Sequence, residues 1–213
     1  MQMRPDLIAF DLYGTLLDVS GLAQRIGARV KVADPAALVA AWRKQQLDLT
    51  WAQGEYRPFD QITAAALAQV APQLGESLRE ELCALWLELP AHPGASALLS
   101  SLERAGVRSA ILSNGTREMI ERALAAAGLE VNSVLSVDQL KVYKPDPRVY
   151  ALLDGLAPRP RTLFVSANGW DAAGAKADGR RVAWIDRGTP APSVAPDFQV
   201  HSLAELSAAV LAE

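Results

Sequence analysis

The sequence predicts an α/β fold: a Rossmann-like core with a mostly parallel sheet, into which a helical cap domain is inserted. Two observations lead to this prediction. Over residues 92–213, short apolar runs alternate with helical patterns, as in right-handed βαβ units. Over residues 18–91 the alternation stops and only helical patterns remain. We therefore expect residues 1–17 and 92–213 to form the core and residues 18–91 to form the cap.

Six short apolar runs bounded by turn or polar residues predict the strands of the core. In chain order they are Leu7–Phe10, Val107–Leu112, Ser133–Val137, Thr162–Ser166, Arg181–Ile185 and Phe198–Val200. Helical patterns lie between most of them, at Ala95–Ala105, Arg117–Ala127, Pro147–Leu156, Asp171–Asp178 and Leu203–Leu211. Gly106 and Gly128 follow two of these helices, where a glycine commonly ends a helix.

The cap segment is predicted to contain four helices. The longest covers Ala36–Gln53 and follows Asp34 and Pro35, which suit the N-cap and the first helical position. The proline-containing stretch 88–95 then returns the chain to the core pattern.

Composition excludes several classes of protein. The chain has 213 residues, half of them hydrophobic, and a net charge of −3, so it lacks the basic excess of a nucleic-acid binder. No run of about 18 apolar residues predicts a membrane span, and the N-terminus lacks the apolar segment of a signal peptide.

Cys83 is the single cysteine, so no internal disulfide is expected and a cytoplasmic location is the plain interpretation. The two histidines, His92 and His201, lie in a linker and before the last helix, which argues against a histidine-dependent triad.

Polar side chains follow four of the predicted strands. Ligands of open parallel sheets bind outside the carboxyl ends of the strands, so these side chains are candidates for one site. Each alone could be a turn or a helix cap, but their coincidence at one edge favours a binding site. In chain order they are Asp11, Tyr13, Thr15, Ser113, Asn114, Lys144, Tyr150, Ser166, Asn168, Trp170 and Asp171.

Four segments resemble the ordered motifs of the haloacid dehalogenase superfamily: FDLYGTL, SNG, YKPD and SANGWDAAGAK. AWRKQQLDLTW, VYKPDPRVY and FVSANGWDAAGAK resemble the L-2-haloacid dehalogenases in particular. The resemblance spans nearly the whole chain. It implies hydrolysis of short 2-haloalkanoic acids to 2-hydroxy acids with inversion. A carboxylate displaces the halide and forms an ester, which water then cleaves.

The resemblance makes Asp11 the nucleophile and explains Tyr13. Phosphatases of the superfamily carry a second aspartate at the position of Tyr13, as the general acid that protonates an alkoxide leaving group. Halide is the conjugate base of a strong acid and needs no proton. A neutral phenol therefore suits the site, and it makes the pocket more apolar.

The resemblance also assigns roles around the leaving group and the substrate carboxylate. Arg43 of the cap is expected to reach the halide, with Asn114 and Trp170 beside it, because a fixed cation stabilises charge that develops there. Ser113, Thr15 and backbone N–H groups are expected to bind the substrate carboxylate. Trp42, Leu47 and Phe59 are expected to line the cap side of the pocket.

The remaining roles concern the lysine and the hydrolytic water. Lys144 is expected to restrain Asp11, and Ser166 and Tyr150 to orient Lys144 and the substrate. Asn168 and Asp171 are expected to position the water, with Asp171 as a candidate base.

The expected partners are a small 2-haloacid, water and the halide product, without nucleic acid or membrane, and the resemblance allows a homodimer. No metal and no cofactor are expected, because a haloacid carries one negative charge away from the reacting carbon. Two alternatives remain open: a magnesium-dependent small-molecule phosphatase of the same superfamily, and a catalytically silent binding protein.

Overall fold

The computed structural model describes residues 4–52 and 54–211, and its centre is a six-stranded parallel sheet. The strand order is β3-β2-β1-β4-β5-β6, and every neighbouring pair is parallel. This confirms the predicted α/β class. The strands are β1 Leu7–Phe10, β2 Arg108–Ser113, β3 Ser133–Ser136, β4 Thr162–Ser166, β5 Arg181–Ile185 and β6 Phe198–Val200.

Strand β1 lies at the middle of the sheet because both of its faces are apolar. Ile8 and Phe10 pack into one hydrophobic cluster, and Leu7 and Ala9 pack into another on the opposite face. A continuous apolar run is what a parallel strand covered on both sides requires. The polar residue that follows, Asp11, is therefore delivered to the carboxyl edge of the sheet.

Helices cover both faces of the sheet and form the inserted segment. In chain order they are α1 Leu22–Gly27, α2 Pro35–Trp51, α3 Phe59–Val70, α4 Glu76–Ala84, α5 Ala95–Arg104, α6 Arg117–Ala127, α7 Pro147–Ala151, α8 Gly169–Ala177 and α9 Leu203–Leu211. Short 3₁₀ turns extend α4 over Leu85–Leu87 and α7 over Leu152–Gly155. No helix among the described residues combines the length and apolar character needed to cross a bilayer.

Helix α2 begins as the sequence indicates, with the Asp34 side chain accepting a hydrogen bond from Ala37 N at 2.9 Å. It ends at Trp51, and Gln53, the predicted last residue, lies outside the described residues. The helix predicted at 147–156 is instead a short α-helix followed by the 3₁₀ turn.

The two chain segments that join the inserted helices to the core run side by side. Leu17 forms an antiparallel bridge with Ala91, and Asp18 N donates to Pro90 O at 2.8 Å. His92 N donates to Leu16 O at 2.7 Å. We propose that this short pairing separates the core, residues 1–17 and 92–213, from the cap, residues 18–91.

The cap lies against the carboxyl edge of the sheet. Trp51, at the end of α2, donates from Nε1 to Lys144 O at 3.3 Å and packs edge-on against Trp170. The Tyr56 hydroxyl bonds to Asp138 of the core. These contacts hold the end of α2 and the segment after it against the chain that follows β3 and β4.

Candidate active site

The loop after β1 is closed by hydrogen bonds that fix the direction of Asp11. Asp11 N donates to Val165 O of β4 at 2.9 Å, and Gly14 N donates to Leu17 O at 2.8 Å. Gly14 has φ of +85°, a left-handed conformation that favours glycine. The chain thus turns sharply after Asp11, and the carboxylate remains at the edge of the sheet.

The Asp11 carboxylate accepts hydrogen bonds from three side chains. Thr15 Oγ1 and Asn168 Nδ2 donate to Oδ2 at 3.1 and 2.9 Å, and Lys144 Nζ donates to Oδ1 at 3.1 Å. The Asp11 residue is only 8% exposed. Its carboxylate is thus fixed in orientation, with its small exposed part at the cavity described below.

Lys144 bridges Asp11 to a second carboxylate that is completely buried. Lys144 Nζ lies 3.0 Å from Asp171 Oδ2, and Asp171 has no exposed surface. Burial raises the pKa of Asp171, although the charge of Lys144 opposes the rise. Burial alone would lower the pKa of Lys144, but the two neighbouring carboxylates outweigh it and the pKa is raised. The lysine is therefore a charged ammonium between Asp11 and Asp171.

Three predicted residues bond to the carboxylates of Asp11 and Asp171. Ser166 Oγ donates to Asp171 Oδ2 at 3.0 Å, and the Tyr150 hydroxyl donates to Asp171 Oδ1 at 2.7 Å, so both reach the carboxylate that pairs with Lys144 and not the lysine itself. Thr15, expected at the substrate carboxylate, donates to Asp11 and accepts from Ala167 N at 2.9 Å. All three are fully buried, so they support the charged residues from beneath the cavity.

Gly174 explains how Tyr150 comes so close to helix α8. A Cβ at Gly174 would lie 2.6 Å from both the Tyr150 hydroxyl oxygen and Pro145 Cβ, well inside contact distance. The absence of a side chain therefore lets α8 carry Asp171 against the Tyr150 hydroxyl.

Arg43 is the charged residue that the cap brings to the site. It lies on α2, with its guanidinium carbon 5.6 Å from the centre of the Trp86 ring. A Cβ on Gly14 would be 3.8 Å from Arg43 Nη2, so the guanidinium lies beside the loop that carries Asp11. Burial lowers the pKa of Arg43 and the charge of Asp11 opposes this, but an arginine stays charged in proteins.

Tyr13 forms part of the apolar wall of the site. It is 8% exposed, and its ring packs edge-on against Trp86 at 5.8 Å between centroids. Burial raises its pKa further above the ordinary value of a phenol. Its hydroxyl finds no hydrogen-bond partner among the described residues. Tyr13 is therefore a neutral group next to the nucleophile candidate.

Ser113 and Asn114 enter the site from the end of β2. Ser113 Oγ accepts from Gly115 N at 3.1 Å, and Asn114 Oδ1 accepts from Lys144 N at 3.1 Å. Because the Asn114 oxygen is engaged, its amide nitrogen is the end that can donate to a ligand.

A small cavity lies between core and cap at these residues. Its volume is about 50 Å³, enough for a few small groups, since one enclosed water needs roughly 10–15 Å³. Its walls combine two charged side chains with aromatic, apolar and amide groups: Asp11, Tyr13, Arg43, Gln46, Leu47, Phe59, Trp86, Ser113, Asn114, Asn168 and Trp170.

Two of these lining residues, Gln46 and Trp86, were not predicted. Trp42, which was expected there, packs against Trp86 and is not among the lining residues. Gln46 lies three residues after Arg43 on α2, so the helical repeat could have indicated it. Trp86 comes from the 3₁₀ turn after α4, and no sequence pattern links it to the other residues.

The arrangement joins a fixed carboxylate, a cation from the cap and a small cavity with a largely apolar wall. Such a site suits nucleophilic attack on a small electrophile whose leaving group departs as an anion. Among the residues that the structure describes, no group of three or more histidine, cysteine, aspartate or glutamate side chains is arranged to hold a metal ion.

Comparisons with known proteins agree with this geometry. The family model "haloacid dehalogenase-like hydrolase" matches residues 5–179. The (S)-2-haloacid dehalogenase 4A of Burkholderia cepacia is 40% identical over 211 residues, covering 92% of this chain and 91% of that protein. The (S)-2-haloacid dehalogenase H-109 of Pseudomonas putida is 38% identical, covering 84% and 85%.

A solved structure extends the agreement to the whole fold. The L-2-haloacid dehalogenase from Xanthobacter autotrophicus, with chloropropionic acid covalently bound, superposes with a TM-score of 0.89 at 31% identity. The match covers 98% of this chain and 99% of that structure. The chain therefore belongs to the haloacid dehalogenase-like hydrolases and, within them, to the 2-haloacid dehalogenases.

Proposed function

We propose that this protein hydrolyses short 2-haloalkanoic acids to 2-hydroxy acids with inversion, through an ester on Asp11. The observation that carries the proposal is the pair formed by Asp11 from the core and Arg43 from the cap at one small cavity. The (S)-2-haloacid dehalogenases among its relatives, and the covalently bound chloropropionic acid in a structural neighbour, support the same reaction.

In the first step an Asp11 oxygen attacks the carbon that bears the halogen. A carbon–oxygen bond forms while the carbon–halogen bond breaks, and its electron pair leaves on the halide. Displacement of this kind requires the nucleophile and the leaving group on opposite sides of the carbon, which gives inversion. Asp11 comes from the core and Arg43 from the cap, and both line the one cavity, so a substrate carbon can lie between them.

Charge develops on the halogen as the bond breaks, so a fixed cation there lowers the barrier selectively. We assign this role to Arg43, helped by the Asn114 amide and the Trp170 ring, which line the same cavity. Leu47 and Phe59 complete the apolar wall around the alkyl group. We assign Ser113 and backbone N–H groups of the loop after β1 to the substrate carboxylate.

Lys144 and its partners keep the nucleophile in place. The ammonium offsets the repulsion between Asp11, the substrate carboxylate and Asp171. Thr15 and Asn168 orient the Asp11 oxygens, while Ser166 and Tyr150 orient Asp171.

In the second step water attacks the carboxyl carbon of Asp11, and the bond between that carbon and the ester oxygen breaks. One proton of the water goes to a base and the other ends on the ester oxygen, which leaves as the hydroxyl of the product. We propose Asp171 as the base that accepts a proton from this water, because its raised pKa makes it a stronger base than an ordinary aspartate. Asp171 is buried and does not line the cavity, so the water has to enter beside Asp11 and Asn168 to reach it. Asn168 lies beside Asp11 and is suited to position the water.

We further propose that the reaction needs no metal. In the structure the Lys144 ammonium lies between Asp11 and Asp171, at 3.1 and 3.0 Å from their oxygens. A fixed positive charge is therefore already present where two carboxylates meet. The substrate carries one negative charge, which the lysine, the arginine and N–H donors can balance.

Halide release from each enantiomer of 2-chloropropionate, with and without EDTA, tests the proposal. We expect chloride release from one enantiomer, with 2-hydroxypropionate of inverted configuration, and no effect of EDTA. The matched Asp11→Asn variant should fold and release no chloride. Magnesium-dependent hydrolysis of phosphate esters without chloride release would instead identify a phosphatase. Folded wild-type protein that turns over neither class would identify a binding protein.

We further propose that the protein is cytoplasmic. A free, partly buried thiol at Cys83 suits the reducing cytoplasm. We propose a homodimer, and light scattering on the purified protein tests it, with a mass near 46 kDa expected from a chain of 22.8 kDa.

A further inference from the structure

Arg43 lies at the cavity without an acidic partner. Over residues 4–52 and 54–211, no ion pair or hydrogen bond of its guanidinium is found, and the one charge that acts on its pKa is that of Asp11. Arg43 is partly buried, and charged side chains that are removed from water are usually paired with an opposite charge. Some other contact must therefore hold the guanidinium in place.

Trp86 provides this contact. The Arg43 guanidinium carbon lies 5.6 Å from the centre of the Trp86 ring, within the range of a cation–π interaction. Trp86 is 1% exposed, so its ring is shielded from water. Cation–π interactions are stronger when the groups are desolvated.

The Trp86 ring is itself held from two sides. Trp42 packs edge-on against it at 5.5 Å, with an interplanar angle of 88°, and Tyr13 packs against it at 72°. Trp42 is fixed in turn, because its Nε1 donates to Thr63 O at 2.8 Å. The Trp86 ring, against which Arg43 lies, therefore has little freedom to tilt.

An aromatic support has a chemical advantage over a carboxylate at this position. A carboxylate would take up guanidinium N–H donors and compete with any anion that approaches them. An aromatic face attracts the cation and leaves its five N–H donors free.

Resting on the proposed function, we propose that Trp86 is a positioning residue for cleavage of the carbon–halogen bond. It holds Arg43 where the halide departs as the Asp11–carbon bond forms, and it takes no part in bond making. Ester hydrolysis involves no leaving halide. Trp86 should therefore matter for the first step and not for the second.

Single-turnover rapid-quench kinetics separate the two steps. Halide appearance reports alkylation of Asp11, and appearance of the 2-hydroxy acid reports hydrolysis of the ester. The variants are Trp86→Leu and Trp86→Phe. The matched control is Trp184→Leu, since Trp184 is also a buried tryptophan with an unpartnered Nε1 but lies in β5, outside the cavity.

Loss of a shielded cation–π contact should slow alkylation by about 10- to 30-fold in Trp86→Leu. The loss should be larger for 2-chloropropionate than for 2-bromopropionate, because chloride is the poorer leaving group and needs more stabilisation. Trp86→Phe keeps an aromatic face, so its alkylation rate should be only about 3-fold below that of wild type. This loss should again be larger for 2-chloropropionate than for 2-bromopropionate. Ester hydrolysis should change by less than about 2-fold. Trp184→Leu should not slow alkylation more than ester hydrolysis, and its effect should not depend on the halogen.

Equal slowing of both steps, equal slowing for both halogens, or no recovery in Trp86→Phe would show that Trp86 only supports the fold. If Trp86→Leu does not fold, Trp86→Phe provides the test. A larger loss of alkylation rate with 2-chloropropionate than with 2-bromopropionate supports the positioning role, and equal losses contradict it. Wild-type protein that releases no halide would overturn the proposed function itself, a result distinct from any change confined to the variants.

Discussion

Replacing Lys144 by methionine tests whether the lysine charge stabilises the two carboxylates beside it. The lysine is 1% exposed and its ammonium lies 3.1 Å from Asp11 Oδ1 and 3.0 Å from Asp171 Oδ2. Methionine keeps most of the apolar stem and removes the charge, which leaves two carboxylates side by side. Breaking a buried ion pair costs about 3–5 kcal/mol, and each kcal/mol lowers Tm by about 2–4 °C in a chain of this length.

We therefore expect Tm to fall by about 6–20 °C at pH 8, together with loss of turnover. The loss should depend on pH. Without Lys144 the pKa of Asp171, already raised by burial, rises further, whereas the unfolded chain keeps the ordinary value. Between these two values the folded state binds more protons, so stability falls as pH rises. The difference in Tm between Lys144→Met and wild type should therefore be largest at pH 8 and smaller at pH 5.

Thermal melts followed by circular dichroism from pH 5 to 8 measure this effect. Lys176→Met is the matched control, because Lys176 pairs with Asp197 at 2.7 Å on the surface, where an ion pair contributes at most about 1 kcal/mol. The double variant Lys144→Met/Asp171→Asn should recover part of the lost stability. A Lys144→Met protein as stable as wild type at pH 8, or equally destabilised at every pH, would refute the electrostatic reasoning.

Three further predictions concern neighbouring residues. Tyr150→Phe removes a hydrogen bond that lowers the pKa of Asp171, so the acid limb of the kcat–pH profile should move to higher pH; a shift to lower pH would contradict the assignment. Gly174→Ala places a Cβ 2.6 Å from Pro145 Cβ and the Tyr150 hydroxyl oxygen. It should cost about 1–3 kcal/mol in urea denaturation, and an unchanged midpoint would argue against this close packing. Arg43→Ala should slow alkylation by about 10²- to 10³-fold in rapid-quench assays while changing Tm little, and comparable losses of both would count against a role at the halide.

The core could be predicted from the sequence because its periodicities are simple. Strand β1 has the predicted bounds, Leu7–Phe10, since a fully apolar run ends at a polar residue. The pattern over 147–156 predicted one helix, and the structure has an α-helix to Ala151 and a 3₁₀ turn to Gly155. Apolar spacing alone does not distinguish these two hydrogen-bonding patterns, which both bring neighbouring turns to one face.

The sequence predicted most of the residues that meet at the carboxyl edge of the sheet. It did not predict which of them hydrogen-bond to one another. Parallel strands place their carboxyl ends together, so a list of strand-end residues gathers one rim. Which donor meets which carboxylate depends on side-chain torsions and on close approaches such as that at Gly174. Trp86 was missed for a related reason, because it comes to Arg43 from a separate turn 43 positions later in the chain.

A single turnover in ¹⁸O-water, with enzyme in excess over 2-chloropropionate, tests most directly whether Asp11 forms the ester. We predict that the first product carries no heavy oxygen and that mass spectrometry of the peptide containing Asp11 finds the label in its side chain. Heavy oxygen in the product of that first turnover, with an unlabelled Asp11 peptide, would show direct attack of water and contradict the covalent mechanism.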